Sequence, residues 1–175
     1  MSSSRWFLAF VVVATLSGCR GGSAAPSSNS VVGQWMGTYA VTTCVTTGWS
    51  SCDAAVAEYA FERVGQRYSL QMQITQVGAT VTGGIVLNGG PNIPVEGTSS
   101  DSTLTLGGHL LMNATKSDSQ SVDVQWTGAV SDSHLTGTLT VTRHVEWGPA
   151  NTQHPPGTST YDYVASVTDA VRLSR

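Results

Sequence analysis

The stretch Arg67–Thr75, RYSLQMQIT, alternates strictly between polar and apolar side chains. In a β-strand successive side chains point to opposite faces, so this stretch predicts a strand with one polar and one apolar face. A strand of this kind needs a second apolar surface to cover it. We therefore expect the rest of the chain to supply further strands with the same pattern.

The same alternation recurs on both sides of this stretch, and no segment shows a convincing amphipathic helix. Turns rich in Gly, Asn and Ser separate the alternating segments, and such short connections join antiparallel strands. The expected fold is all-β, an antiparallel up-and-down meander of about eight or nine strands closed as a barrel, with a β-sandwich as the alternative. The further predicted strands are Gly33–Thr43, Val56–Arg63, Ala79–Leu87, Ile93–Thr98, Thr103–Met112, Val122–Val130, Leu135–Val141 and Tyr161–Leu173.

Two segments share the pattern G-x-x-S-D-S-x-L-T, namely Gly97–Thr105 and Gly128–Thr136. Asp and Ser side chains bond to their own backbone in tight turns, so the repeat predicts two equivalent hairpins. The second copy contains His134 beside the Ser-Asp-Ser run, but the first copy has Thr103 at that position. A turn explains both copies, whereas a catalytic cluster explains only one.

The first predicted strand begins with Gly33-Gln34-Trp35. This G-x-W start followed by a meander resembles the lipocalin/calycin group. In that group the Trp closes one end of the barrel and packs on an Arg near the last strand, for which Arg172 is the matching residue and Arg143 the second candidate. The T-D-Y motif of the group is only approximated by Thr160–Tyr163. The resemblance implies a lipocalin-like barrel.

The N-terminus has the order of a secretory signal, with a charge at Arg5, an apolar run from Trp6 to Ala14 and then small residues. The following Leu16–Cys19, LSGC, resembles the lipobox of bacterial lipoproteins, in which the chain is cut before the Cys and the Cys is acylated. The resemblance implies a signal peptide over residues 1–18 and a lipidated Cys19. A plain secretory signal with a chance Cys is the alternative.

The expected organisation follows from this cleavage. Residues 19–30 carry the lipidated Cys and a flexible linker rich in Gly, Ser and Ala, and residues 31–175 form a single β-barrel domain. The family's several acyl chains, palmitate among them, would hold the protein on the bacterial cell envelope. Arg20 stands where an Asp would favour inner-membrane retention, so the resemblance favours the outer membrane if the source is Gram-negative.

Two cysteines remain once Cys19 carries lipid. Export places Cys44 and Cys52 in an oxidising compartment, which favours a disulfide between them. Two free thiols or a metal pair are the alternatives, although the spacing with no nearby His is a poor zinc pattern.

Candidate ligand-binding residues lie in two loops and on the apolar strand faces. Trp147 belongs to the long stretch His144–Thr160, and Trp49 to the loop Thr43–Ala55, where binding residues commonly sit. Asp169 falls between the apolar Val167 and Val171, so it would contact a ligand, pair with Arg143 or Arg172, or be turned outward by a bulge. The candidate set is Trp147, Trp49, Tyr68, Trp126 and Asp169.

The composition excludes several function classes. A net charge of −3 leaves no basic surface for nucleic acid. The four His show no paired metal spacing, and no nucleophile, phosphate-binding or zinc-protease motif occurs, so we expect no enzyme activity, cofactor or metal. The expected function is non-enzymatic binding of a small apolar ligand or lipid inside the barrel. The alternative is a structural, protein-interaction or inhibitor lipoprotein with a filled core that acts through its loops.

Overall fold

The fold is an eight-stranded antiparallel barrel in which every strand pairs with its neighbours in sequence, and β8 closes onto β1. The structure is a computed structural model, and it describes residues 30–100, 102–115, 117–131 and 133–173. The elements are β1 Gly33–Thr47, α1 Cys52–Tyr59, β2 Arg67–Val77, β3 Thr80–Leu87, β4 Asn92–Ser100, β5 Thr103–Ala114, β6 Asp118–Val130, β7 His134–Trp147 and β8 Gly157–Arg172.

Closure of the barrel confirms the predicted all-β meander and rules out the sandwich alternative. β1 pairs with β8 from Trp35 opposite Arg172 to Thr47 opposite Thr160. An open sheet would leave β1 and β8 as edges, whereas the closed sheet joins them. The predicted signal peptide, Cys19 and the predicted linker up to residue 29 lie outside the described residues.

The predicted strand Val56–Arg63 is wrong, because its first half belongs to the helix α1 and its second half to the connection that follows. Ser51 caps the helix by accepting a hydrogen bond from the Ala54 backbone N–H at 3.2 Å, and Asp53 lies in the first turn. The helix ends at Ala60, which adopts the left-handed conformation. In this eight-residue helix the Ser51 cap outweighs the strand-like alternation of polar and apolar residues, because that alternation extends over only a few residues.

One end of the barrel, which we call the closed end, is plugged by Trp35. This end comprises the start of β1, the end of β8 and the hairpins β2–β3, β4–β5 and β6–β7. The Trp35 indole is 1 % exposed, donates to the Val31 carbonyl at 3.0 Å and lies 4.6 Å from the Arg172 guanidinium. The geometry matches the contact that the resemblance to lipocalins implies for Arg172.

The interior next to the closed end is filled by side chains. Trp126 is fully buried, and a Cβ at Gly128 or Gly137 would lie only 2.8 or 3.0 Å from its ring. These two glycines face each other across β6 and β7 and make room for the indole. The two repeats form the β4–β5 and β6–β7 hairpins, as predicted, although Asp101 and Asp132 within them lie outside the described residues.

The predicted disulfide between Cys44 and Cys52 is present and links β1 to the start of α1. It holds the helix beside the barrel at the end opposite Trp35. Within the described ranges, no helix is both long enough and apolar enough to cross a membrane.

Candidate functional site

The end of the barrel opposite Trp35, which we call the mouth, differs in structure from the closed end. Strands β1 and β5 to β8 are long and form a tall wall, whereas β2, β3 and β4 are shorter. The connection from α1 to β2 crosses this end and puts the residues Ala60–Gln66 over the interior. The connection is held by backbone hydrogen bonds from Gly65 to the Val41 carbonyl and from Val41 to the Gln66 carbonyl.

A buried ion pair between Glu62 and Arg143 lies under this connection. Arg143 donates from Nη2 to Glu62 Oε1 at 2.7 Å and from Nε to Glu62 Oε2 at 3.2 Å. The Arg143 side chain is 12 % exposed and the Glu62 side chain is 4 % exposed. The Arg143 guanidinium also lies 5.2 Å from the centre of the Phe61 ring. A bidentate pair in so dry a place fixes both side chains in one orientation.

Tyrosines from two strands surround the ion pair. The Tyr39 hydroxyl donates to Glu62 Oε1 at 3.0 Å, and the Tyr161 hydroxyl donates to the Glu62 backbone carbonyl. Burial, with the Glu62 carboxylate as the second cause, raises the pKa of Tyr39 and Tyr163 and raises the pKa of Tyr161 to about 12. All three therefore stay neutral at physiological pH.

Two opposing effects act on the pKa of Arg143. Burial on its own would lower the pKa of the guanidinium, but the Glu62 carboxylate more than offsets this, so the pKa of Arg143 is raised. The side chain remains a cation. Its Nη1 lies 3.8 Å from the sulfur of Met112, with no oxygen acceptor for Nη1 among the described residues.

A cavity of about 190 Å³ lies beside this ion pair, between the crossing connection and the walls of the barrel. It is partly open to solvent. Larger concavities, up to about 850 Å³, lie on the outer wall. The mouth cavity is lined by Tyr59, Ala60, Phe61, Glu62, Leu87, Asn88, Gly90, Pro91, Ile93, Met112, Gln120, Val122 and Arg143.

Trp49 and Trp147 meet at the mouth, with ring centres 5.6 Å apart. Trp147 was predicted in a loop, but β7 extends to this residue and its side chain is only 6 % exposed. Its indole N–H contacts the Tyr59 hydroxyl at 3.0 Å, while the Trp49 indole donates to Glu58 at 2.9 Å. The two residues are parts of an aromatic cover over the mouth.

The other three candidate residues lie apart from them. Tyr68 is half-buried on β2, where its ring packs 5.6 Å from Tyr39, and Trp126 is in the filled core. A bulge in β8 turns Asp169 to the outer face, where it binds His134 Nδ1 at 2.7 Å rather than Arg143 or Arg172. None of the five candidates lines the mouth cavity.

All four His contact carboxylates, which the sequence did not indicate. Asp123 binds both His109 and His144 on the outer wall, at 2.8 and 2.9 Å. His154 stacks on Trp147 and binds Glu58 at 2.7 Å, which ties the β7–β8 loop to α1. Among the described residues, no group of three or more His, Cys, Asp or Glu is placed to hold a metal ion.

The sequence interpretation missed Glu62 and the role of Arg143. A usable signal was the position of Arg143, which shares the inward face of β7 with Val141 and Val145. A charged residue at an inward position requires a buried partner of opposite charge. The partner was not recognisable, because Glu62 lies in an irregular connection that was read as a strand.

Comparison with known proteins finds no matching family model, no similar curated protein and no similar solved structure. The likeness to lipocalins therefore rests on the closed barrel and on the contact between Trp35 and Arg172.

Proposed function

We propose that this protein is a non-enzymatic, lipid-anchored binding protein of the bacterial cell envelope. In a Gram-negative source we propose that it lies on the outer membrane. We propose further that it takes a small, largely apolar ligand at the mouth of its barrel. The cavity of about 190 Å³ beside Arg143 carries the ligand part of this proposal. The lipobox at Leu16–Cys19 carries the anchoring part.

The size of the cavity limits the ligand. An apolar cavity of roughly 150 Å³ is large enough to hold one benzene ring. The mouth cavity is of similar size, and the core between it and the closed end is filled by buried side chains. A ligand of about one ring fits this space, whereas a long acyl chain would have to displace the core.

The lining of the cavity limits the chemistry of the ligand. Leu87, Ile93 and Val122 offer apolar contacts on the barrel side. Arg143 Nη1, whose neighbour is the Met112 sulfur, can donate to one acceptor on the ligand. Because Glu62 already balances the charge of Arg143, a neutral ring with one carbonyl group suits the site better than an anion.

Mass spectrometry of the protein extracted from its own membranes tests the ligand proposal, together with titration with acetophenone. We expect a ring-sized molecule to co-purify and acetophenone to bind. Met112→Trp should abolish binding by filling the cavity. The matched control Met36→Trp, the same change at a similarly exposed position on the outer wall, should leave binding unchanged. Equal binding by both variants would refute the site.

Membrane fractionation tests the anchor. Cys19→Ala should move the protein from the membrane to the soluble fraction, because stable anchoring needs acyl chains. Retention of this variant on membranes in high salt would contradict lipidation at Cys19.

The alternative function, protein interaction through the loops, has weaker support. The filled core agrees with it, but its two expected anchors, Trp49 and Trp147, pack against each other and against α1 rather than standing free.

A further inference from the structure

Five exposed apolar side chains lie around the point where the chain enters the barrel. Val32 precedes β1, Val77 is the last residue of β2, and Leu173 follows β8, all at the closed end. Met36 and Val171 stand opposite each other in the β1–β8 ladder and are both exposed on the outer face. We call this surface the apolar rim, and its members are Val32, Met36, Val77, Val171 and Leu173.

Hydrogen bonds bring the separate segments of the rim together. The Leu173 N–H donates to the Gln34 carbonyl at 2.8 Å, so the end of the described chain runs alongside the start of β1. The Val31 N–H donates to the Gln76 side chain at 3.2 Å, which brings Val32 next to the end of β2. A concavity of about 590 Å³ has both Val32 and Leu173 in its lining. A contiguous exposed apolar surface of this kind marks an interaction site.

The side of the barrel that carries most of the rim is uncharged. The sequence has no charged residue and no His between Arg20 and Asp53, nor between Arg67 and Glu96. The whole of β1 and β3 is therefore uncharged, as is β2 beyond Arg67 at its mouth end, whereas β6, β7 and β8 all carry carboxylates. An apolar partner can cover the β1–β3 side without taking a charge out of water, which would be costly.

Arg172 adds a cation to the rim. Its guanidinium lies over Trp35 and donates from Nη2 to the Ser30 carbonyl, while its Nε is buried with no hydrogen-bond partner among the described residues. Arg172 also lines the concavity of the rim. Asp169, the nearest carboxylate along β8, is bound to His134 at 2.7 Å instead. A cation set among apolar side chains suits a layer of phosphate groups above hydrocarbon, which a phospholipid bilayer presents.

The predicted lipid anchor is attached at the same end. The described chain begins at Ser30, which contacts Arg172. Residues 20–30 join Val31 to Cys19, the predicted lipidation site, and even fully extended they span at most about 40 Å. A tether of this length keeps the rim at a high local concentration of lipid, and the mouth lies further away by the length of a strand.

We propose that the apolar rim docks on the surface of a phospholipid bilayer, with Arg172 at the level of the phosphates. The inference rests on the lipid anchor of the proposed function and deepens it, because it assigns the side of the domain that faces the membrane. Even one whole acyl chain gives only marginal binding, so the rim orients a domain that the anchor attaches. The docked barrel turns its mouth away from the bilayer, where a ligand can reach the cavity.

Methyl NMR of the protein extracted from its own membranes and placed in nanodiscs tests the docking. The nanodiscs contain phosphatidylethanolamine and phosphatidylglycerol, and the probe is a phosphatidylcholine with a nitroxide near its headgroup. The methyl signals of Val32, Val77 and Leu173 should be lost, whereas those of Val45 and Leu111, also exposed but near the mouth, should remain. Equal loss at both ends, or no loss at the rim, would overturn the proposal.

Val77→Asp combined with Leu173→Asp separates docking from the nearness that the tether alone imposes. Both positions are exposed, so the barrel should fold, and its methyl spectrum without nitroxide verifies this. The two carboxylates should release the rim from the lipid and restore the Val32 signals. The matched control Val45→Asp should leave the wild-type pattern unchanged. Val32 signals that stay lost in the folded double variant would show that the tether accounts for them, and would refute docking.

Membrane fractionation distinguishes failure of the docking from failure of the anchor. If Cys19→Ala stays on membranes, lipidation is refuted, and the nanodisc pattern still shows which end faces the lipid. If Cys19→Ala is released and the two ends of the wild type lose signal equally, docking alone is refuted. A wild-type protein found only in the soluble fraction would overturn both.

Discussion

The closed end and the mouth of the barrel are held by different forces. At the closed end Trp35 plugs the barrel and packs under Arg172, and Trp126 lies fully buried in the interior next to it. At the mouth a buried ion pair and several tyrosine hydroxyls lie beneath a short helix and a crossing connection. The closed end is filled by packed side chains, whereas the mouth retains a buried ion pair and a cavity. This difference is the reason why we propose a ligand at the mouth.

High pH should produce the largest effect, and it should act on the mouth. The unperturbed tyrosine pKa is 10.0, and in the folded protein the pKa values of Tyr39, Tyr161 and Tyr163 are raised, that of Tyr161 to about 12. Their contribution to stability is complete below pH 10 and is lost as the pH rises through the native values, because the unfolded chain ionises first.

We therefore expect the free energy of unfolding to fall steadily above pH 10 and the barrel to unfold cooperatively. Tyrosinate absorbance and circular dichroism recorded on the same samples provide the measurement. Ionisation of all five tyrosines at pH 10 in a folded barrel would contradict the buried, neutral cluster.

Trp35→Ala should be the most damaging single substitution at the closed end. Loss of a buried Trp costs about 3–5 kcal/mol, and the loss of the Arg172 contact places this change near the upper figure. Urea unfolding followed by circular dichroism measures the change. Because the mouth is built separately, acetophenone binding to the folded fraction should persist, and its loss would show that the two ends are coupled.

Arg143→Met should destabilise the mouth by about 3 kcal/mol, because it leaves the Glu62 carboxylate buried without its cation. Addition of Glu62→Gln should recover part of this loss in urea unfolding, since the double variant has no unpaired charge. A single variant as stable as the wild type would mean that the pair is open to solvent.

Removal of the disulfide by Cys44→Ala with Cys52→Ala should cost about 2 kcal/mol, since the closed loop is short. The loss should be accompanied by faster hydrogen exchange in α1 and in the connection over the mouth, but not around Trp35. Uniformly faster exchange throughout the barrel would refute a local role for the bond.

The smallest effect is expected for Tyr163→Phe. The Tyr163 hydroxyl is buried with no hydrogen-bond partner among the described residues. Its removal should therefore change the stability by less than about 1 kcal/mol, or increase it. Tyr39→Phe is the matched change at a hydroxyl that does bond to Glu62, and thermal unfolding should show it to be the more destabilising of the two.

The strand pattern allowed the barrel to be predicted, because alternation is a local property that each strand carries in its own residues. RYSLQMQIT became the core of β2, and both Ser-Asp-Ser repeats became hairpins. The contact between Trp35 and Arg172 came from a resemblance, and the barrel brings the two residues together. The helix α1 was missed, since a Ser cap and about two turns of helix outweighed a short alternation.

The candidate site at the mouth could not be predicted from the strand pattern, because tertiary structure decides which of its residues meet. Glu62 and Arg143 are far apart in the sequence, and only closure of the barrel brings the crossing connection against β7. Asp169 was turned outward by a bulge that alternation cannot reveal. Local pattern determined which residues form strands, and packing between distant strands decided which of them meet.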